Sequence, residues 1–519
     1  MQNSNNNSSI DRLSKEFIAQ HPNTCANLVI SKNQKYFYLV TVLLAILFLL
    51  YRWDLLLFVI TLLLSVLYLA SAFFRLVSAF CGCFHKYEIA QITDDTLPIY
   101  TILLPMYKEA NIAPALYKKI ADMDYPIEKL DVKFLLEADD IETKAALEAL
   151  KMPSNFQIMV MDACLPKTKP RACNYGLEEA KGEFCVIFDA EDQPEKDQLK
   201  KAIALFRAKG REDVACVQAK LNYHNSRQNL LTRLFTIEYT THFDLLLPGM
   251  QVFNFPLPLG GTSNHFRTSI LKEIGGWDPF NVTEDCDLGL RIYEKGFRTL
   301  LLDSTTWEEA NSKVGNWIRQ RSRWIKGFIQ THLVHYRNYA TTIKRLNLWG
   351  TLGGFLAIGG SSLMILCNII FTFFLLIYVG LLIAGYHQGV PIEEQIHVTS
   401  NTIAKWNHIS WKAWPIIYTG KDENIFYSTL SIYLAISSAI LFSANFIFIF
   451  IGFLGCLKRK FYHLLPFTPL MIFYWLLMSI AGWKGFLQLF YKPFYWEKTT
   501  HGLNLNIKNK KNNKDNKTS

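Results

Sequence analysis

The chain has 519 residues, 50% of them hydrophobic and 19% charged, with a net charge of +10. Soluble domains average about 25% charged residues, so part of this chain avoids water. The positive excess lies in flanks and a tail rather than in a stripe, which argues against nucleic acid as a partner. The ten cysteines lack paired spacing and read as buried thiols in a reducing compartment, not as a disulfide framework.

Residues 1–35 are polar, with an Asn/Ser-rich start from Gln2 to Ser9, and read as a disordered N-terminus with no cleavable signal peptide. Tyr36–Tyr51 and Leu55–Phe74, parted by Arg52-Trp53-Asp54, read as a transmembrane hairpin over residues 36–80. Lys32, Lys35, Arg75 and Lys86 put both flanks inside. Residues 97–335 change texture. Apolar strands (Tyr100–Leu104, Val132–Leu136, Phe156–Val160, Phe184–Phe188) alternate with helical stretches (Asn111–Asp122, Glu142–Leu150, Pro170–Ala180). That alternation implies an α/β domain, a mainly parallel sheet with helices on both faces.

Residues 346–490 are apolar again, in Leu346–Ala384, Tyr427–Leu457 and Phe467–Leu489. The glycine-rich first segment has room for two short spans, or for an interfacial helix and one long span. A cytoplasmic tail needs an even number of crossings, so the favoured expectation is two spans there, four in all, and Lys458-Arg459-Lys460 outside. Residues 491–519 are expected to be a cytoplasmic segment whose lysine-rich end, Leu503–Ser519, is disordered.

Ligands of open α/β sheets bind beyond the carboxyl ends of the strands. Four motifs sit at strand ends or helix starts: Leu104-Pro105-Met106-Tyr107-Lys108-Glu109, Glu137-Ala138-Asp139-Asp140, Lys169-Pro170-Arg171 and Asp189-Ala190-Glu191-Asp192. The last places three carboxylates within four residues. They repel unless something positive sits among them, and a hard cation with oxygen ligands, Mg²⁺ or Mn²⁺, is the usual answer. A solvated acidic turn ahead of a helix is the plainer alternative. Together the four supply what a nucleotide needs: a wall for the base, carboxylates for base or ribose, and cations for phosphates.

Leu259-Gly260-Gly261-Thr262-Ser263-Asn264 lets backbone approach a ligand closely, or makes a simple tight turn. Asn281-Val282-Thr283-Glu284-Asp285-Cys286-Asp287 precedes a helix. Its acids either favour the positive helix end or include a general base for transfer to a hydroxyl. Trp317-Ile318-Arg319-Gln320-Arg321-Ser322-Arg323-Trp324-Ile325-Lys326 reads as an amphipathic basic helix, interfacial at least in part. Its arginines suit a diphosphate, and its tryptophans offer platforms for a sugar ring.

These residues resemble the membrane-integrated, processive family 2 glycosyltransferases, the group of cellulose, chitin, hyaluronan and curdlan-type synthases. Asp189-Ala190-Glu191-Asp192, Thr283-Glu284-Asp285 and Gln320-Arg321-Ser322-Arg323-Trp324 are similar, in order, to the D-x-D, T-E-D and Q-x-x-R-W motifs. The resemblance covers about residues 100–335 and the membrane framing. It implies a GT-A-type fold between transmembrane helices, in an integral protein of the bacterial inner membrane with a cytoplasmic catalytic domain. It implies inverting, metal-dependent transfer from a nucleotide sugar, most simply a UDP-sugar, to a growing β-glycan coupled to export; transfer of one sugar to a lipid carrier is the rival.

Residue by residue, it implies that Tyr107, Glu109, Asp139, Asp140, Lys169 and Asp189 bind the nucleotide sugar. Asp189, Glu191 and Asp192 would hold Mg²⁺ or Mn²⁺, and Asp285 would be the catalytic base. Thr283, Glu284, Gln320, Arg323 and Trp324 would hold the diphosphate and the acceptor glycan. Phe494-Tyr495-Trp496-Glu497-Lys498-Thr499 is similar to a segment that closes over the nucleotide in hyaluronan and chitin synthases. Two departures stand out. Glu191 occupies the third place of the D-x-D pattern, and no regulatory domain is expected after the last span. The implied partners are the donor, the glycan, the lipid bilayer and export proteins.

Overall fold

The structure is a computed structural model and describes residues 10–85, 87, 96–387, 437 and 442–495. The Asn/Ser-rich start, the Trp496–Thr499 stretch and the lysine-rich tail lie outside the described residues.

Fifteen helices are numbered here in chain order. They are α1 (Arg12–Gln20), α2 (Lys32–Phe84), α3 (Ala113–Ala121), α4 (Ile141–Glu148), α5 (Lys169–Glu178), α6 (Gln198–Arg207), α7 (Leu230–Thr241), α8 (Leu247–Val252), α9 (Thr268–Ile274), α10 (Glu284–Glu294), α11 (Val314–His335), α12 (Tyr339–Gly354), α13 (Ser361–His387), α14 (Phe442–Lys458) and α15 (Met471–Tyr491). The strands are β1 (Tyr100–Met106), β2 (Leu130–Glu137), β3 (Phe156–Met161), β4 (Phe184–Ile187), β5 (Gln193–Pro194), β6 (Val214–Tyr223), β7 (Asn264–Arg267) and β8 (Arg298–Glu308).

One eight-stranded sheet runs β3-β2-β1-β4-β7-β6-β8-β5. The β1/β2, β2/β3, β1/β4 and β6/β8 pairs are parallel; β7 runs antiparallel to both neighbours, and β5 antiparallel to β8. Strand side chains alternate between faces. Ile102, Leu104, Val132, Phe134 and Leu136 pack with Leu116 of α3, Leu147 of α4 and Ile203 of α6. Leu103, Leu135, Cys185 and Ile187 pack on the other face with Leu177 of α5, Ile270 of α9 and Leu288 of α10. The expected mixed, mainly parallel sheet with helices on both faces is therefore present. All ten cysteines are free.

Among the described residues, four stretches are long and apolar enough to cross a membrane: Lys32–Arg52, Phe58–Phe84, Tyr339–Phe373 and Tyr462–Tyr491. Arg52 breaks α2 with non-helical angles. Both ends of α2 touch the domain, through the Gln34 side chain on the Leu333 carbonyl and through Gly82 against Leu245. A straight helix would set those residues roughly 70 Å apart, so the chain turns back.

Three expectations need correction. Residues 10–31 are ordered, because the polar stretch buries specific anchors. Asp11 caps α1 through the Ser14 N–H and pairs with fully buried Arg171, and the Asp278 carboxylate accepts from the Ala26 N–H at 2.6 Å. The glycine-rich segment does not cross twice. Its glycines press α12 and the following turn onto the domain; a Cβ on Gly353 would lie 2.0 Å from Phe255, and one on Gly359 2.5 Å from His332. Lys458 and Arg459 are not on the far side: Arg459 pairs with Asp244 at 2.8 Å, and Lys458 donates to the Asp244 carbonyl at 3.0 Å. That placement agrees with the positive-inside tendency, which the expected even count of crossings had overridden.

Helix α15 runs along α11. Tyr474 accepts from Arg321 at 3.1 Å, and a Cβ on Gly485 would lie 2.4 Å from the Ser322 carbonyl. Arg233 stands over Phe467 just before α15, and Lys326 donates to the Tyr495 carbonyl just after it. Both ends of this apolar helix thus sit on the domain.

Candidate active site

One end of the site is built by the loops after β1 and β2. Tyr107 donates to Asp139 at 3.1 Å, and Lys167 donates to Asp139 at 2.5 Å while standing 4.3 Å from the Tyr107 ring centroid. Hydrogen bonding from Lys167 is the first reason that the exposed Asp139 carboxyl is held below its ordinary range. Asp140 points elsewhere. Buried, it accepts from the backbone N–H groups of Lys108 at 2.5 Å and Thr143 at 3.3 Å. It caps α4 and ties down the loop of Tyr107 and Glu109, so the carboxylate expected on the nucleotide is a brace. Lys167 was not anticipated, although it stands in the same basic run as Lys169.

Lys169, on the first turn of α5, donates to Asp189 and, at 2.7 Å, to the Gly261 carbonyl. Burial works against its charge, but Asp189 and Glu284 outweigh that and hold it well protonated. Asp189 and Glu191 follow β4 and face a cavity of about 590 Å³. Asp192 does not line it. Its Oδ2 accepts from the Asp189 N–H at 2.7 Å and from the Thr262 hydroxyl; burial, then Asp189 and Glu191, push its carboxyl far up. Its Oδ1 is buried without a hydrogen-bond partner. Among the described residues no three His, Cys, Asp or Glu side chains are placed to hold an ion unaided. Mg²⁺ commonly uses one or two carboxylates plus substrate phosphates, and the paired carboxylates of Asp189 and Glu191 fit that need, with Asp192 bracing their turn. Glu308, at the end of β8, also lines the cavity; burial, then Asp192, Glu191 and Asp189, hold its carboxyl well up. The strand-end rule that found Asp189 applies to Glu308 too.

Thr283 packs against α11, where a Cβ on Gly327 would sit 2.4 Å from its side chain. Asp285 lies in the first turn of α10. Its Oδ1 accepts from the Cys286 N–H at 2.7 Å, and its Oδ2 lies 3.4 Å from where a Cβ on Gly261 would stand, so Gly261 leaves room beside it. Burial raises the Asp285 carboxyl to about 6, despite the Cys286 N–H and Lys169. Burial and Asp285 raise the neighbouring Glu284. Such a carboxyl suits a general base near neutral pH.

Gln320, Arg323 and Trp324 project from α11 into the cavity. Gln320 accepts from Asn311 at 2.8 Å. Trp324 stacks near Tyr239, 6.2 Å between centroids, and lies 4.5 Å from the Arg321 guanidinium, which pairs with Glu238. Arg321, read in the sequence only as part of a basic helix, and Glu238, not singled out there, set the tryptophan's pose. One cavity therefore gathers Tyr107, Glu109, Lys169, Asp189, Glu191, Thr283, Glu284, Asp285, Gln320, Arg323 and Trp324, and continues among apolar helices to Ile365, Phe448, Met471 and Trp475.

Residues 184–387 match the family model described as Glycosyl transferase family group 2. The probable glycosyltransferase YdaM of Bacillus subtilis (strain 168) is 27% identical over 235 residues, which cover 44% of this chain and 55% of that protein. The chain thus spans about half the length of that curated relative. Among solved structures, the mannosyltransferase PcManGT from Pyrobaculum calidifontis in complex with GDP-Man and Mn²⁺ is 17% identical with a TM-score of 0.43, over 74% of this chain and 97% of that one. S. aureus TarS 1–349 in complex with UDP is 16% identical with a TM-score of 0.35, over 51% and 74%. Asp189, Glu191, Asp285, Gln320, Arg323 and Trp324 all fall within the residues matched by the family model, and it is over this part that the chain is similar to family 2 glycosyltransferases.

Proposed function

We propose that this chain is an inverting, metal-dependent glycosyltransferase that moves a sugar from a nucleotide-sugar donor, a UDP-sugar, to a growing β-glycan, processively and coupled to export. The observation that carries this reading is the continuity of one cavity from the strand-end carboxylates, past Asp285 and Trp324, to residues of the apolar helices. The basic flanks support an integral protein of the bacterial inner membrane with its domain on the cytoplasmic side.

In this mechanism an acceptor hydroxyl attacks the anomeric carbon. Its proton passes to Asp285, and the carbon–oxygen bond to the diphosphate breaks with its electron pair leaving on the nucleotide. A single displacement turns an α-linked donor into a β-linked product. Lys169 and Arg323 hold the diphosphate, and Trp324 supports the acceptor sugar. Asp189 and Glu191 would hold Mg²⁺ or Mn²⁺, whose chemistry is to neutralise charge on the departing diphosphate. The opening among apolar helices also fits the second reading, transfer of one sugar to a lipid carrier; product length separates the two.

The test is nucleotide release by detergent-purified protein across a panel of nucleotide sugars with Mg²⁺ or Mn²⁺, beside Asp285→Asn. Metal-dependent release from one donor, lost in the variant, is expected. Equal release by the variant would remove Asp285 from the chemistry.

A further inference from the structure

The deep end of the cavity holds polar groups that the reaction above leaves unused. Arg75 belongs to the second apolar stretch of α2, Phe58–Phe84, and lines the same cavity as Asp285. Its guanidinium donates to Ser361 Oγ at 2.8 Å and stands 5.6 Å from the Phe448 centroid. It makes no ion pair with a carboxylate among the described residues. Glu238 lines this cavity too, but it is bound by Arg321 and Tyr474. Trp475 also lines the cavity, 6.2 Å from Phe448 between ring centroids, and its indole N–H is buried with no acceptor among the described residues. An arginine set among apolar helices is costly unless its charge is met, and an unmet buried donor calls for an explanation. Neither group has a carboxylate oxygen within hydrogen-bond reach among the described residues.

We propose that Arg75 and Trp475 form a binding site for an oxyanion on the acceptor, either the phosphate of a polyprenyl carrier or the carboxylate of an acidic sugar. This rests on the transferase reading above. The guanidinium is a planar fork that matches phosphate and carboxylate, and the contact with Ser361 occupies little of its five N–H groups. Tying α2 to Ser361 needs no charge, and a neutral glycan is served by aromatic walls alone. Gly82 packs against Leu245 of the domain. Arg75, seven residues earlier, therefore lies about 10 Å along the helix from that contact, near the level of lipid headgroups.

Two measurements on the purified full-length protein test this. The first is binding of farnesyl phosphate, farnesol and a glucuronate-bearing oligosaccharide, read by tryptophan fluorescence. The second is transfer from labelled donor to a polyprenyl phosphate, to the glucuronate-bearing oligosaccharide and to a neutral oligosaccharide. In Arg75→Gln the KM for the anionic acceptor is expected to rise roughly tenfold or more, as for loss of a charged hydrogen bond, while the KM for the donor holds. Arg75→Lys recovers part of the loss, and Trp475→Phe, which keeps the ring and removes the N–H, gives a smaller rise. Response of the lipid arm alone identifies a lipid phosphate; response of the glucuronate arm alone identifies an acidic glycan. The proposal is overturned if Arg75→Gln binds and uses both anions like the wild type, or if it weakens the neutral oligosaccharide by the same factor. Should the wild type consume no donor, the transferase reading fails separately. Binding then decides: an anion held by the wild type and lost in Arg75→Gln supports the site, and no anion held sinks it.

Discussion

Lys169 is ion-paired to Asp189 inside the cavity, with only 15% of the lysine side chain exposed. The same ammonium pulls the Asp285 carboxyl down, so one cation acts on both Asp189 and Asp285, the proposed donor end and base. Lys169→Met is expected to raise the KM for the donor and to move the acidic limb of the pH profile upward. Profiles of kcat/KM against pH for both proteins check this; an unmoved limb would separate Lys169 from Asp285.

The pH dependence of the wild type follows from Asp285 itself. A base acts when ionised, and burial raises this carboxyl to about 6. Turnover should therefore rise as pH increases through about 6 and level off above it. Asp285→Asn should lose about 10²–10⁴-fold in turnover while nucleotide binding, measured by calorimetry, persists.

Asp139 and Asp140 should behave differently despite being neighbours. Asp140→Ala removes a helix cap and the anchor of the Lys108 N–H, a loss of about 0.5–2 kcal/mol for the cap alone, and should lower the melting temperature. Asp139→Asn should leave melting unchanged and raise the donor KM. Thermal melts beside donor titrations distinguish them.

That pair also shows where sequence reading ends. The strand Phe184–Ile187 and the cavity-facing place of Asp189 and Glu191 after it were legible because ligand clefts of parallel sheets lie beyond the carboxyl ends of apolar runs. Which of two adjacent aspartates meets Tyr107 and Lys167 depends on a half-turn of backbone, and α4 claimed Asp140 as its cap. The same held for Asp189 and Asp192. Helix α1 was illegible for another reason: its apolar anchor, Phe17, is short of a pattern, and its hold on the domain is the buried Asp11–Arg171–Glu137 chain, whose members lie far apart in sequence.

Breaking that chain gives a further prediction. Asp11→Ala leaves buried Arg171 with one carboxylate, and breaking a buried pair costs about 3–5 kcal/mol. The variant should unfold at lower temperature, with a raised donor KM, since Glu137 also lines the cavity. Melting followed by tryptophan fluorescence, with donor titration, checks both.

Trp324→Ala should spare donor hydrolysis and impair transfer to the acceptor, since the ring faces the cavity beyond the base, fixed by Tyr239 and Arg321. Equal loss of both activities would make Trp324 a packing residue. Comparing free sugar released with product formed settles it.

Helix α15 has one more consequence. Phe473, Ile480, Leu487 and Phe490 are exposed on its outer side, while Tyr474, Met478 and Ala481 are buried toward α11. The chain thus carries an apolar face fixed to the helix that bears Arg323 and Trp324. Packed helices lie about 8–10 Å apart, so on the proposed reading a bilayer meeting that face would lie one helix diameter below the catalytic groups. Their height would then be set by the protein, and a thicker or thinner bilayer would have to pucker around that face before it could lift the base away from its acceptor.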